Sequence, residues 1–85
     1  YRERLYRGAM IGRMLIEYQD MKAAGHSAEQ IEQQRLSLVS RLQAEIDRFG
    51  NPGRGPIAKL SGSGARAWFA FRGAIKLDGT ISDEL

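Results

Sequence analysis

At 85 residues the chain makes one small domain or part of one, and a domain of that size has little core to spare. It has no cysteine for a disulfide or a thiolate ligand, and its one histidine, His26, has no second histidine with which to build a zinc site. The formal charge of +3 is mild; no apolar run approaches the roughly 18 residues of a bilayer span. No signal-peptide pattern opens the chain, so it is expected to be soluble, with the cytoplasm the favoured compartment.

The first helix is predicted from Tyr1 to Ala24. Its charges crowd the two ends, and between Gly8 and Ile16 only Arg13 is charged. On a helical wheel Tyr1, Leu5, Ala9, Gly12 and Ile16 share one face. Met10, Met14, Tyr18 and Met21 lie roughly opposite, and Ile11 and Leu15 fill a side between them. A helix apolar around most of its circumference needs more than one neighbour. Gly8 and Gly12 each cost about 1 kcal/mol against alanine, and their spacing suits close approach of another backbone. The alternative is that they merely loosen the helix. The central residues Gly8, Met10, Ile11, Gly12, Met14 and Leu15 are therefore expected to bind a partner, either another protein or a second copy in a homo-oligomer.

Gly25 suits a left-handed helix cap, and Ser27 with Gln30 three residues later forms a capping box. The second helix is predicted over Ala28–Phe49. Ile31, Leu38, Val39, Leu42, Ile46 and Phe49 make one stripe, with Glu29, Glu32, Arg41, Asp47 and Arg48 off it. A heptad seam through 31, 35, 38, 42, 45 and 49 is interrupted by Arg35 and Glu45. That pattern predicts a short antiparallel hairpin rather than a long coiled coil.

From Gly50 the composition turns to glycine, proline and serine, which predicts a basic linker over 50–66. The stretch from Ala67 to Leu77 has two readings. As a strand it places Phe69, Phe71, Gly73, Ile75 and Leu77 on one side, and Asp78-Gly79 follows as a hairpin turn pair. As a helix it aligns Trp68, Phe71 and Ile75; the alanines favour this and Gly73 counts against it. The strand is preferred. The expected fold is mainly α, with an antiparallel helical hairpin (1–49), a Gly-rich linker (50–66) and a short β-hairpin or mixed C-terminal element (67–85). Tyr1 already sits in helical sequence and Ser82-Asp83-Glu84-Leu85 reads as a helix beginning, so the chain reads as a portion of a larger protein.

The chemical motifs of enzymes are missing. There is no P-loop string, and Gly62-Ser63-Gly64 meets alanine at position 67 where a dinucleotide fingerprint needs glycine. The acid pairs Glu29/Glu32 and Glu45/Asp47 are expected on solvated helix faces. No catalytic residue, metal ligand or cofactor is assigned, and no enzyme is expected.

One segment stands out by charge. No acid occurs between Asp47 and Asp78, whereas Arg48, Arg54, Lys59, Arg66, Arg72 and Lys76 do. Cations neutralise phosphates, and exposed aromatics such as Trp68 stack on single-stranded bases. Trp68, Phe69 and Phe71 have a competing reading as core residues that cover the hairpin. The favoured function is a non-enzymatic helical interaction module of a larger protein or multi-chain assembly. One alternative is nucleic-acid binding through 48–76, using Arg54, Lys59, Arg66, Trp68, Arg72 and Lys76. A second is a helical accessory part of an enzyme whose active site lies elsewhere.

Overall fold

The computed structural model describes residues 2–52 and 62–85. It contains three helices: α1 (Arg2–Ala23), α2 (Ala28–Phe49) and α3 (Gly62–Gly73). Among these residues no helix is long and apolar enough to cross a membrane.

The break between α1 and α2 follows the capping chemistry. Gly25 takes the left-handed conformation at φ 79°. Its amide donates to the Lys22 carbonyl, and the His26 amide donates to the Met21 carbonyl. That is the hydrogen-bond pair of a Schellman cap, which satisfies carbonyls the helix leaves open. Ser27 then starts α2 in extended backbone, its Oγ accepting from the Gln30 amide at 3.2 Å. The predicted antiparallel hairpin forms: Arg48 pairs with Glu3 at 2.7 Å and Arg7 with Glu45 at 2.8 Å, so the end of α2 lies beside the start of α1.

α1 is the central element, packed by both α2 and α3. Its buried side includes Gly8, Ala9, Ile11, Gly12, Leu15 and Tyr18. Leu38 and Leu42 of α2, fully buried, meet Ile11, Leu15 and Tyr18 in one cluster with Trp68, Phe71, Ala74 and Ile75. The second neighbour that an all-round apolar helix demands is thus supplied within the chain. Gly8 and Gly12 explain how it fits. A Cβ on Gly12 would overlap the Ala67 carbonyl, and one on Gly8 would press on the rings of Trp68 and Phe71. Gly12 lets the α3 backbone lie directly on α1, and Gly8 leaves space for the rings that α3 carries.

This contact overturns the strand expected from Ala67 to Leu77. The segment is helical through Gly73, and α3 begins at Gly62, inside the stretch read as linker over 50–66. Two physical terms decide it. Helical spacing sends Ala67, Trp68 and Phe71 together onto α1, whereas a strand would turn Trp68 away from Phe71. Truncating either large aromatic in such a core costs roughly 3–5 kcal/mol, far more than the glycine penalty. A helix also satisfies its own backbone, whereas a strand here would find no sheet to join among the described residues.

The β-hairpin is likewise not formed. One antiparallel bridge, Ile75 to Ile81, stands where it was expected. The Asp78-Gly79 turn pair does turn the chain, with Gly79 at φ 88°. The Lys76 amide donates to the Thr80 carbonyl at 2.7 Å, and Ser82 donates back to the Ala74 carbonyl at 2.8 Å. The tail therefore folds against the end of α3 and adds Ile75 to the core, with Ile81 and Leu85 packed against it.

Candidate functional site

An open groove of about 230 Å³ lies between α1, α3 and the C-terminal turn. Leu15 and Ala74, both buried, line its base, with Ile16, Ala70 and Leu85 half-buried beside them. Gln19, Gly73 and Glu84 line it as well and are exposed. Gly73 leaves its wall open, since a Cβ there would meet nothing within 4 Å. Among the described residues Glu84 is the only titratable side chain in the lining. The groove can therefore receive an apolar group, but it holds no acid–base pair.

The residues expected to bind a partner separate in the structure. Gly8 and Gly12 form the seat of α3, and Ile11 and Leu15 lie in the core. Met14 is partly buried against that core, while Met10 is 41% exposed. Leu15 alone of the six reaches the groove. Close approach of another backbone is what Gly12 permits, and here that backbone is α3 of the same chain, while Gly8 makes room for the Trp68 and Phe71 rings.

The basic segment also divides. Arg54 and Lys59 lie outside the described residues. Trp68 is turned into the core at 6% exposure, its ring 5.3 Å from that of Phe71. Arg66 is exposed and Arg72 half-buried. Arg48 is paired with Glu3, and Lys76 has Asp83 3.5 Å away. The two ends of the acid-free run, Arg48 and Lys76, thus meet acids from outside it.

Sequence reasoning missed the best-organised polar cluster. Glu45, expected on a wet face, is 1% exposed. Arg7 donates to its Oε2 from Nε at 2.8 Å, and the second oxygen, Oε1, is buried without a partner. Hydrogen bonding and proximity to Glu45 raise the pKa of Arg7. Arg4 reaches further. It donates to the carbonyls of Glu45 and Gly50 at the end of α2, and its guanidinium lies over Phe49 and Phe71 at 5.1 and 5.5 Å. Burial lowers its pKa against the opposing pull of Glu45. A cation at a helix C-terminus answers carbonyls that have no intrahelical partner, here that of Gly50, and offsets the negative end of the helix dipole. Arg4 thereby joins all three helices. The available signal was the heptad seam: in an antiparallel hairpin closing at 24–27, position 45 falls opposite Arg7. The cluster ties α1 to α2 through Arg7 and Glu45 Oε2 and through Arg4 and the α2 carbonyls, and leaves Glu45 Oε1 as its one unpaired buried oxygen among the described residues.

No family model matches this chain. No solved structure matches it. Among the described residues no three His, Asp or Glu side chains gather as metal ligands.

Proposed function

We propose that this chain is a non-enzymatic helical interaction module, working within a larger protein or as a subunit of a multi-chain assembly. The groove carries the reading. Pockets that take small-molecule ligands run to about 300–1,000 Å³ and converge several polar groups on the ligand. This groove holds about 230 Å³ and has an apolar base, with Gln19, Ser82 and Glu84 as the polar side chains of its lining among the described residues. Those dimensions suit a side chain from a protein partner better than a substrate. Large apolar side chains left in solvent add support: Tyr6 and Met10 one turn apart on α1, and Phe69 on α3.

The polyanion reading has less behind it. Stacking on bases needs an exposed aromatic; Trp68, the residue named for it, is committed to the core, which leaves Phe69 at 56% exposure. Of the cations assigned to it, Lys76 has Asp83 nearby, and Arg48, at the edge of the basic segment, is paired with Glu3.

Site-specific photo-crosslinking tests the proposal. A benzophenone side chain is introduced at Tyr6, at Phe69 or at the exposed control position Gln33, in cells that produce the chain. Protein adducts are expected from Tyr6 or Phe69 and not from Gln33. No protein adduct at any of the three positions would sink the interaction reading.

A further inference from the structure

Phe69 is 56% exposed while its neighbours Trp68 and Phe71 are buried. It stands one turn before Gly73, which lines the groove, and next to Ala70, which also does. Exposing most of a phenylalanine beside a groove with an apolar base forgoes burial that the fold itself does not recover. The groove also has the right size for such a ring. An enclosed apolar cavity of about 150 Å³ accepts benzene; this groove, open to solvent and edged by Gln19, Ser82 and Glu84, holds about 230 Å³.

Charge points the same way. Arg66 lies three residues before Phe69 on the outward face of α3 and is exposed. Glu84 lines the groove and is also exposed. Neither side chain makes an ion pair among the described residues. One surface thus carries an aromatic ring, a receptacle for a ring, a free cation and a free acid. A surface that contains both halves of its own contact is what a two-fold interface requires, because each residue then meets its complement on the other copy.

We propose that a second copy of this chain docks on the α1/α3 groove about a two-fold axis. Each copy seats Phe69 in the other's groove, and Arg66 faces the partner's Glu84. The inference rests on the interaction-module reading and names the partner within it. Other proteins that could fill the groove become outcomes of the test.

The variants that test it lie away from the core. Phe69→Ala removes an exposed ring, and Gly73→Leu fills the open wall, where a Cβ meets nothing. Circular dichroism and Trp68 fluorescence verify that both remain folded. In sedimentation velocity from micromolar to submillimolar concentration, the parent chain is expected to move to twice the monomer mass. Each of the two variants should weaken dimerisation by about tenfold or more. Arg66→Glu and Glu84→Lys should each weaken it by about three- to fivefold, and the two together should restore it. A parent that stays monomeric throughout overturns the proposal. So does a dimer indifferent to both Phe69→Ala and Gly73→Leu. Crosslinks to other proteins from Tyr6 or Phe69 would, in either case, leave the interaction-module reading standing.

Discussion

The sharpest consequence of the fold is that one substitution, glycine to alanine, should have opposite signs at Gly12 and Gly73. In a free helix the change stabilises by about 1 kcal/mol, because alanine loses less backbone entropy. At Gly12 the new Cβ would fall inside the contact radius of the Ala67 carbonyl, which is backbone and cannot rotate away. α3 must retreat by roughly an ångström or more, and a gap of that size forfeits a quarter to a half of each dispersion contact it opens. Trp68 and Phe71 sit over the same face and lose packing together. Overpacking costs about 1–3 kcal/mol, and a rigid obstacle puts this case at the upper end. Subtracting the propensity gain leaves Gly12→Ala about 2 kcal/mol less stable than the parent. At Gly73 there is open space and no clash, so Gly73→Ala should be neutral or stabilised by up to about 1 kcal/mol. Urea unfolding followed by the single tryptophan reads both, since Trp68 reports directly on the α1/α3 contact. With m near 1 kcal/mol/M for so small a domain, the Gly12 variant's midpoint should fall by about 2 M. A Gly12→Ala chain as stable as the parent, with unchanged Trp68 emission, would refute the close packing of α3 on α1.

Two further outcomes follow from the same geometry. Leu42→Ala should cost about 2–5 kcal/mol in denaturant unfolding, because Leu42 is fully buried in the shared core, and Ser27→Ala about 1 kcal/mol through loss of the bond to the Gln30 amide. The Thr80 hydroxyl and then its amide hold the Asp78 carboxyl below its ordinary range; a depressed folded pKa means that the turn's stabilisation is complete above the ordinary Asp range and is lost as pH falls through the folded value, and Thr80→Val should move the Asp78 titration upward in a carboxyl NMR series.

The residues at the break between α1 and α2 wrote that part of the fold in advance. Gly25, Ser27 and Gln30 act through bonds no longer than one helical turn, so their meaning did not depend on the rest of the molecule. The stripe through Leu38 and Leu42 and the short connection were enough to define an antiparallel hairpin, and the all-round apolar centre of α1 announced a second neighbour. The identity of that neighbour was a tertiary matter. Ala67 to Leu77 carries both a two-residue and a helical period, and local propensity separates them by about 1 kcal/mol. The decision came from Gly8 and Gly12, some 55 residues earlier in the chain, whose missing side chains make room for a helix bearing Trp68 and Phe71. Burial of Glu45 is of the same kind: a carboxylate in a seam reads as a fault until the register brings Arg7 to it. The groove beside Gly73 has no sequence signal at all, because it is the space left over when α3 and the tail settle against α1. Periodicity and capping are properties of consecutive residues and survive in a one-dimensional string. Which apolar face meets which, and what remains uncovered, depends on shapes that exist only after the helices have packed.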